Sequence, residues 1–514
     1  MNRLATAGFA SLLLTFVADR PCAQDAIDVG SRRELFVDDY LLEKLAGDAR
    51  RTLYHPTPKE LALTHEEPWE GTGSGYHTVF QDRDAGGVLY RMYYKASHLE
   101  VLKDRVDAGR HPLYLCYAES RDGVRWRKPK LGLHEFEGSK DNNIVLASGG
   151  LGRLRIDAGH PAVFKDENPD APPGARYKAI VRASPPEGLL PLESPDGLRF
   201  SPMTDAPILA GRGTFDSQNL AFWDPTLGKY RMYWRFFDGP RRAIRTATSE
   251  DLIHWSDHSD LTYVDSPSVQ LYTNQVKPYS RAPHILLGFP TRYIDRGSFD
   301  SMKALPELEH RRLRSGANPR LGTALTEAML MASRDGVEFK RWNEAFLRPG
   351  VERRGTWLYG QAYIAWHAVE TASAFDGAPN ELSLYASESY WTGKGSALRR
   401  YTLRLDGFVS ISAPASGGEL RMKPIVFEGE RLYVNFATSA AGSLRVEIQD
   451  ADGTPIEGYS LSDCPPIFGN SIDRVVTWKG GPDVGRLTGR PVRLWWTLED
   501  ADLFSFRFGR GKAE

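Results

Sequence analysis

Ser120-Arg-Asp122-Gly123-Val-Arg-Trp126 is a phrase that the chain says four times. It returns as Ser194-Pro-Asp196-Gly197-Leu-Arg-Phe200, as Ser249-Glu-Asp251-Leu252-Ile-His-Trp255 and as Ser333-Arg-Asp335-Gly336-Val-Glu-Phe339. The serines stand 74, 55 and 84 residues apart. Recurrence at that spacing, among short strands, is the mark of sheets arrayed around an axis. The Asp-Gly step reads as a tight turn between outer strands, and the trailing aromatic as packing between neighbouring sheets. The phrase is therefore scaffold, and it measures where each unit begins and ends.

The text between the phrases repeats too. Tyr90-Arg-Met-Tyr-Tyr-Lys95, Tyr177-Lys-Ala-Ile-Val-Arg182 and Tyr230-Arg-Met-Tyr-Trp-Arg235 occupy one place in three successive units. An alternating strand that ends in Asp82, Asp166 or Asp224 precedes each of them. A fourth unit runs from Asn274 through His284–Arg292 to the Ser333 phrase, with a polar insertion at about 295–320. A fifth, from Tyr359 through Leu382–Glu388 to Leu405, lacks the phrase. Five units predict an all-β chain built as a five-bladed β-propeller over 66–408, after a lead-in over 24–65. From 409 to 514 the alternation changes texture, as in Ser443-Leu-Arg-Val-Glu-Ile448 and Val492-Arg-Leu-Trp-Trp-Thr497, and predicts a β-sandwich.

Composition narrows the function. With 65 Lys+Arg against 66 Asp+Glu, the chain lacks the basic excess of a nucleic-acid binder. Arg3 followed by the apolar run Leu4–Ala18 reads as a signal peptide over 1–23, which implies a periplasmic or secreted protein without a membrane anchor. Of three cysteines, Cys22 falls within that segment; Cys116 and Cys464 are expected as buried thiols. No Cys/His spacing suggests a zinc site, and no nucleophile elbow or phosphate loop is present.

In a propeller the starts of the inner strands and the ends of the second strands open on one face. The strand starts nominate Glu70, Asp157 and Asp216, with Trp69, His160, Gln218 and Asn219 beside them and Asn274 in the fourth unit. Asp157 and Asp216 stand 9 and 8 residues before Asp166 and Asp224, so they match from unit to unit. The second-strand ends nominate Lys95, Arg182, Arg235 and Arg292, and in the fifth unit Glu388 with Trp391 nearby. Glycoside hydrolysis needs two carboxyl groups across the scissile bond. Glu70, Asp157, Asp216 and Glu388 are the candidates, with no role assigned among them. The ring of cations suits an acidic or sulfated sugar.

The five units, the Ser-x-Asp-Gly phrase and the strand-start acids resemble the five-bladed propeller glycoside hydrolases, families 32 and 43 among them. A propeller followed by a sandwich looks most like family 32. That family's Trp-x-Asn-Asp-Pro-Asn-Gly, Arg-Asp-Pro and Glu-Cys-Pro boxes are replaced here by Pro68-Trp69-Glu70-Gly71, by Asp157-Ala-Gly-His160-Pro161 and by Phe215-Asp216-Ser-Gln218-Asn219, which marks a divergent branch. The resemblance implies a glycosidase that needs no cofactor, and the N-terminal pattern adds export. Some of these propellers hold an axial calcium ion, and the resemblance allows one here. Two other readings stay open: a non-catalytic carbohydrate-binding propeller, and a glycan lyase or phosphorylase.

Overall fold

The computed structural model describes residues 26–511. The signal-peptide reading, with Cys22, lies outside the described residues. Five sheets follow one another along the chain, antiparallel except where Thr262–Val264 edges the fourth in parallel. The first contains Gly75–Asp84, Gly87–Ala96, Tyr114–Ser120 and Ile144–Ala147. The second is built on Leu154–Lys165, Tyr177–Ser184 and Gly188–Ser194, the third on Leu220–Asp224, Lys229–Asp238, Arg241–Ser249 and Trp255–Asp260. The fourth is built on Lys277–Tyr279, Ala282–Gly288, Met331–Ser333 and Glu338–Arg341. In the fifth, Val369–Thr371, Glu381–Glu388 and Ala397–Arg404 are completed by Thr57–Thr64 from near the N-terminus. That early strand fastens the last sheet to the start of the described chain.

The innermost segments of all five sheets meet at the axis. Val79 N–H donates to Trp366 O and Trp366 N–H to His77 O, which joins the first and fifth sheets. The Gln218 amide donates to Tyr76 O and Pro161 O, tying the third sheet to the first and second. Gln275 donates to Gln218 Oε1 and to Ile364 O, which brings in the fourth and fifth. Buried amides thus fill the axis, where they satisfy the backbone carbonyls of Tyr76, Pro161 and Ile364 and bond each other.

The repeated phrase is one turn whose Asp bonds recur each time, with the serine bond to the glycine N–H in three of the four. Ser120 Oγ accepts the Gly123 N–H, and Asp122 Oδ1 accepts the N–H groups of Val124 and Arg125. Gly123, Gly197 and Gly336 have φ of 70°, 77° and 81° there, and Leu252 takes the same conformation at 67°. These are left-handed values that favour glycine. Hydroxyls from neighbouring sheets meet the turn. Tyr385 donates to Gly123 O, Tyr93 to Gly197 O at 3.0 Å and Tyr233 to Gly336 O at 2.8 Å. At the third phrase, where Leu252 replaces glycine, Ile180 occupies the tyrosine's place and both belong to one buried apolar cluster.

The polar insertion is helical: α1 (Asp300–Ala304), α2 (Leu308–Ala317) and α3 (Pro319–Thr323). It leaves and re-enters through Thr291–Asp295 and Ala324–Ala328, which pair with each other and with Gln270–Leu271 in a small separate sheet. No helix among the described residues is long and apolar enough to cross a membrane. Cys116 and Cys464 are both buried and unbridged.

The C-terminal layers are one ten-stranded sheet folded over a single core. Arg431–Asp450 and Val492–Gly509 run through both layers, and their register breaks between Thr438 and Ser443, where the sheet turns over. The lead-in strands Ile27–Gly30, Arg33–Leu35, Leu42–Gly47 and Arg50–Leu53 belong to this sheet. Asp406 pins it to the propeller. Its carboxylate, fully buried, accepts Arg33 at 3.1 Å from the lead-in, Arg281 and Tyr279 at 2.8 Å from the fourth sheet, and Ser505 at 2.7 Å from the C-terminal strand.

Burial alone would raise the Asp406 pKa, but Arg33 and Arg281 more than reverse it, and the carboxyl is held below its ordinary value. A depressed folded-state pKa gives stability that is present above the unfolded value and lost as pH falls through the folded one. Asp406→Asn is expected to cost about 3–5 kcal/mol in urea unfolding at neutral pH. The gap between variant and wild type should narrow below about pH 4. An unchanged unfolding midpoint at neutral pH would show that Asp406 is not the pin.

Candidate active site

Two backbone irregularities present the site. The inner strand of the first sheet loses register between Gly75 and Thr78, and that of the second between Asp157 and Ala162. Such bulges re-aim side chains that an even ladder would send to alternate faces. In the first, Tyr76 takes φ 50°. In the second, Asp157 and His160 are brought together, with His160 Nδ1 2.8 Å from Asp157 Oδ2. The His160 ring lies 5.6 Å from that of Tyr76, so the two bulges meet.

From there an aromatic basin extends. Tyr76 stacks on Tyr363 at 6.3 Å, Tyr363 packs on Tyr272 at 5.6 Å, and the Tyr272 and Tyr359 hydroxyls are 2.9 Å apart. Tyr390 and Trp391 stack at 5.4 Å and both rest against Tyr359. Burial pushes the Tyr76, Tyr359 and Tyr363 phenols well above their ordinary pKa, so they remain neutral hydrogen-bonding groups. Tyr76, Tyr363, Tyr390 and Trp391 keep part of their surface exposed, as a sugar-stacking face requires.

Charged groups edge this basin. Asp157 is about three-quarters covered; burial would raise its pKa, but the bonds from His160 and the Gly159 N–H, with the nearby Arg182 charge, bring it below the ordinary value. It is therefore an ionised carboxylate that orients His160. His160 Nε2 makes no hydrogen bond to the described protein, and the side chain is 15% exposed, so that nitrogen is open to a ligand. Asp216, with 49% of its side chain exposed, is held through Oδ1 by the buried Arg235. Arg235 lies 5.0 Å from the Tyr272 ring, and Lys95 lies 4.8 Å from that of Tyr76. Arg182 joins through Asp157 at 3.8 Å and binds Glu187 at 2.9 Å.

Of the residues nominated from sequence, Asp157, Asp216, His160, Lys95, Arg182, Arg235 and Trp391 come together here. The rest lie elsewhere. Glu70 is buried inside the first sheet, where it accepts Tyr94 at 2.5 Å and Lys128 at 2.6 Å. Its neighbour Trp69 bonds Asn143. Glu388 is enclosed by Arg353 and by Arg399 at 2.7 Å. Arg292 pairs with Glu327 in the small separate sheet. Gln218 serves the axis, Asn219 bonds Phe215 O and Ser217 O, and Asn274 caps Val276 N–H.

Register explains two of these departures. Tyr90, Tyr177 and Tyr230 each pair with the serine of their own phrase, as Leu286 does in the fourth sheet. Counting forward from those anchors, Thr291 corresponds to Lys95, Arg182 and Arg235, and Arg292 is one residue beyond. In the fifth sheet Tyr385 matches Tyr93 by its bond to a phrase glycine, which makes Ser387 the counterpart and places Glu388 one beyond. A one-residue step sends a strand side chain to the other face.

The neighbouring cavities frame this basin. A polar cavity of about 790 Å³ lies between α2 and the hairpin Glu100–Val101/Val106–Asp107, lined in part by Thr72, His98, Arg110 and His310. Thr72 O and His310 both bond the Trp391 backbone, so this space borders the basin. A second cavity, of about 510 Å³, opens at the opposite mouth of the ring, beside Glu167, Lys277, His367 and Glu370. Its aromatic walls, Phe80, Tyr279, Phe289 and Phe408, are buried and offer no stacking face. Among the described residues no three His, Cys, Asp or Glu side chains converge as metal ligands, and the axis itself holds the Gln218–Gln275 amides. These residues offer a cation no acidic cage.

No family model matches the chain, and no curated protein matches it. Solved structures do resemble it. An endo-arabinase from Bacteroides thetaiotaomicron is 12% identical, with 68% of this chain and 96% of that one covered, at a TM-score of 0.38. An N-acetylgalactosamine deacetylase from F. plautii is 11% identical over 70% and 97%, at 0.41. A fructofuranosidase from Schwanniomyces occidentalis is 12% identical over 87% and 96%, at 0.35. A family 117 glycoside hydrolase is also among the similar structures.

The enclosure of Glu388 sets it apart from Asp216. Glu388→Gln leaves two guanidinium groups facing a neutral amide and is expected to cost about 3 kcal/mol in chemical unfolding. Asp216→Asn leaves the buried Arg235 against a neutral amide, but its own carboxylate is half exposed, and it should cost about 1–2 kcal/mol. Equal costs would mean that the two acids share one environment.

Proposed function

We propose that the protein is an exported glycoside hydrolase that binds its glycan in the tyrosine basin and cleaves it there. The observation that carries the reading is the pairing of an oriented imidazole with a separate, accessible carboxylate on one aromatic floor. Glycosidic cleavage needs a proton for the leaving oxygen and a carboxylate at the anomeric side, as nucleophile or as base for water. Asp216 has Oδ2 free of protein partners while Arg235 holds Oδ1, and it suits the second role. His160, fixed through Nδ1 by Asp157, suits the first, with Asp157 stabilising the imidazolium before the proton is given up. The exposed faces of Tyr76, Tyr363, Tyr390 and Trp391 would stack on the sugar rings. Export rests on the N-terminal Arg3 and Leu4–Ala18 pattern.

The test is release of reducing sugar from a panel of neutral, uronate-containing and sulfated glycans. Asp216→Asn and His160→Gln are each expected to lower kcat by about 100-fold or more, with both variants folded at the assay temperature. Binding across the panel without turnover would instead identify a carbohydrate-binding module. A requirement for phosphate, or an unsaturated product, would identify a phosphorylase or a lyase.

A further inference from the structure

Five cationic side chains pack on the rings of the basin. Lys95 Nζ is 4.8 Å from the Tyr76 ring and 5.6 Å from that of Tyr390. Arg235 and Arg242 are 5.0 and 5.3 Å from Tyr272, while Arg320 is 5.6 Å from Tyr359 and Arg314 is 5.6 Å from Trp391. Of the five, Arg235 has a carboxylate within 4 Å, that of Asp216. Among the described residues the other four meet aromatic faces and neutral oxygens instead.

That arrangement is costly without a further partner. A cation–π contact returns less than taking a charge out of water costs. Lys95 is 7% exposed, and its ammonium spends one N–H on the Tyr390 hydroxyl at 3.3 Å, which leaves two donors. Arg314 is 2% exposed; burial, with repulsion from Arg311, brings its guanidinium down to about 10. Nε and Nη2 of Arg314, Nε of Arg242 and Nη1 of Arg320 are buried without a hydrogen-bond partner. The two carboxylates of the basin, Asp157 and Asp216, are already engaged by His160 and Arg235.

We infer that the basin selects a saccharide bearing an anionic substituent, a uronate carboxylate or a sulfate ester, which docks on Lys95 beside Tyr390. The inference rests on the reading of the basin as the glycan site. The anion would take up the two free Lys95 donors, and Arg320, Arg314 and Arg242 would add to the attraction through their field. A neutral sugar at the same place would leave the ammonium desolvated and unpaired, so selection follows from the cost as well as from the contact.

Calorimetry on the full mature chain tests this with two matched pairs: a galacturonate trisaccharide against its carboxyl-reduced form, and a sulfated carrageenan tetrasaccharide against its desulfated form. At least one charged member should bind about ten-fold or more tightly than its neutral partner, and less tightly as salt rises. Lys95→Met should erase that preference, and Lys95→Arg should keep most of it. The pair that responds tells carboxylate from sulfate. Equal affinity for charged and neutral members, a preference that survives Lys95→Met, or binding of neither pair would overturn the inference. Charged-ligand selectivity with no cleavage of any glycan would sustain it and remove the hydrolase reading, whereas cleavage of neutral glycans alone would do the reverse.

Discussion

Tyrosine hydroxyls hold one sheet of this ring to the next. Tyr385, Tyr93 and Tyr233 each reach across a gap to the carbonyl of a phrase glycine. A second set spans two of these gaps and the one between the second and third sheets: Tyr177 donates to Asp82 at 2.5 Å and Tyr90 to Glu370 O at 2.7 Å, and Tyr230 donates to Asp166 at 2.7 Å. Each sheet twists and cannot bury both of its faces alone. An apolar seam would fill the gaps but would not fix the angle between neighbours. A phenol does both, because its ring packs while its hydroxyl must find an acceptor at one distance. At the one phrase without a glycine, Ile180 stands against Leu252 in the tyrosine's place, and the hydroxyl bond across that gap is the one from Tyr230 to Asp166.

This bolting explains what could be read in advance. The phrase, the Tyr-Arg-Met-Tyr strands and the closing aspartates are repeated because each gap needs the same parts, so periodicity exposed the sheets and their order. The site is repeated only in part. Lys95, Arg182 and Arg235 share one register and were legible as a set. Glu388 and Arg292 have suitable chemistry one residue out of register, and nothing short of strand pairing distinguishes them. Glu70 resembled a strand-start acid, but Lys128 and Tyr94, distant in sequence, enclose it. Tyr76 is the central ring of the basin and carried no signal, because its exposure depends on a bulge and a left-handed φ that the residue type does not announce. The fourth strand of the fifth sheet was hidden for a related reason: it comes from 57–64, ahead of every repeat.

Strain gathers where the basin forms. Tyr76, Gln275 and Ala362 stand at inner-strand starts with φ of 50°, 49° and 58°. Left-handed conformations at such residues cost of order 1–3 kcal/mol each and persist where the surroundings over-determine them. Here the surroundings are the axial amides: Gln218 holds the Tyr76 carbonyl, and the strained Gln275 donates to Ile364 O beside Ala362. The bonds that close the ring also hold the basin tyrosine in its unfavourable conformation. Rigidity at the axis and presentation of the ligand face are one arrangement.

The two mouths of the ring are used differently, and the chain pattern follows from that. Asp406 grips Tyr279 and Arg281, at the far ends of the inner strands, so the C-terminal sheet is pinned on the mouth away from the basin. On the basin side the hairpin over 100–107 and helices α1 to α3 rise instead. Leu321 of α3 packs into the Tyr272–Tyr293–Tyr359 cluster, and His310 and Arg314 of α2 reach the Trp391 and Tyr390 carbonyls. Changes in these insertions would reshape the rim without loosening the axis, because no axial hydrogen bond described above passes through them. Loops on a rigid frame are where selectivity can vary at small cost to stability. The brace at one end leaves the other free to carry the buried cations of the basin, whose burial cost the bolted ring must absorb.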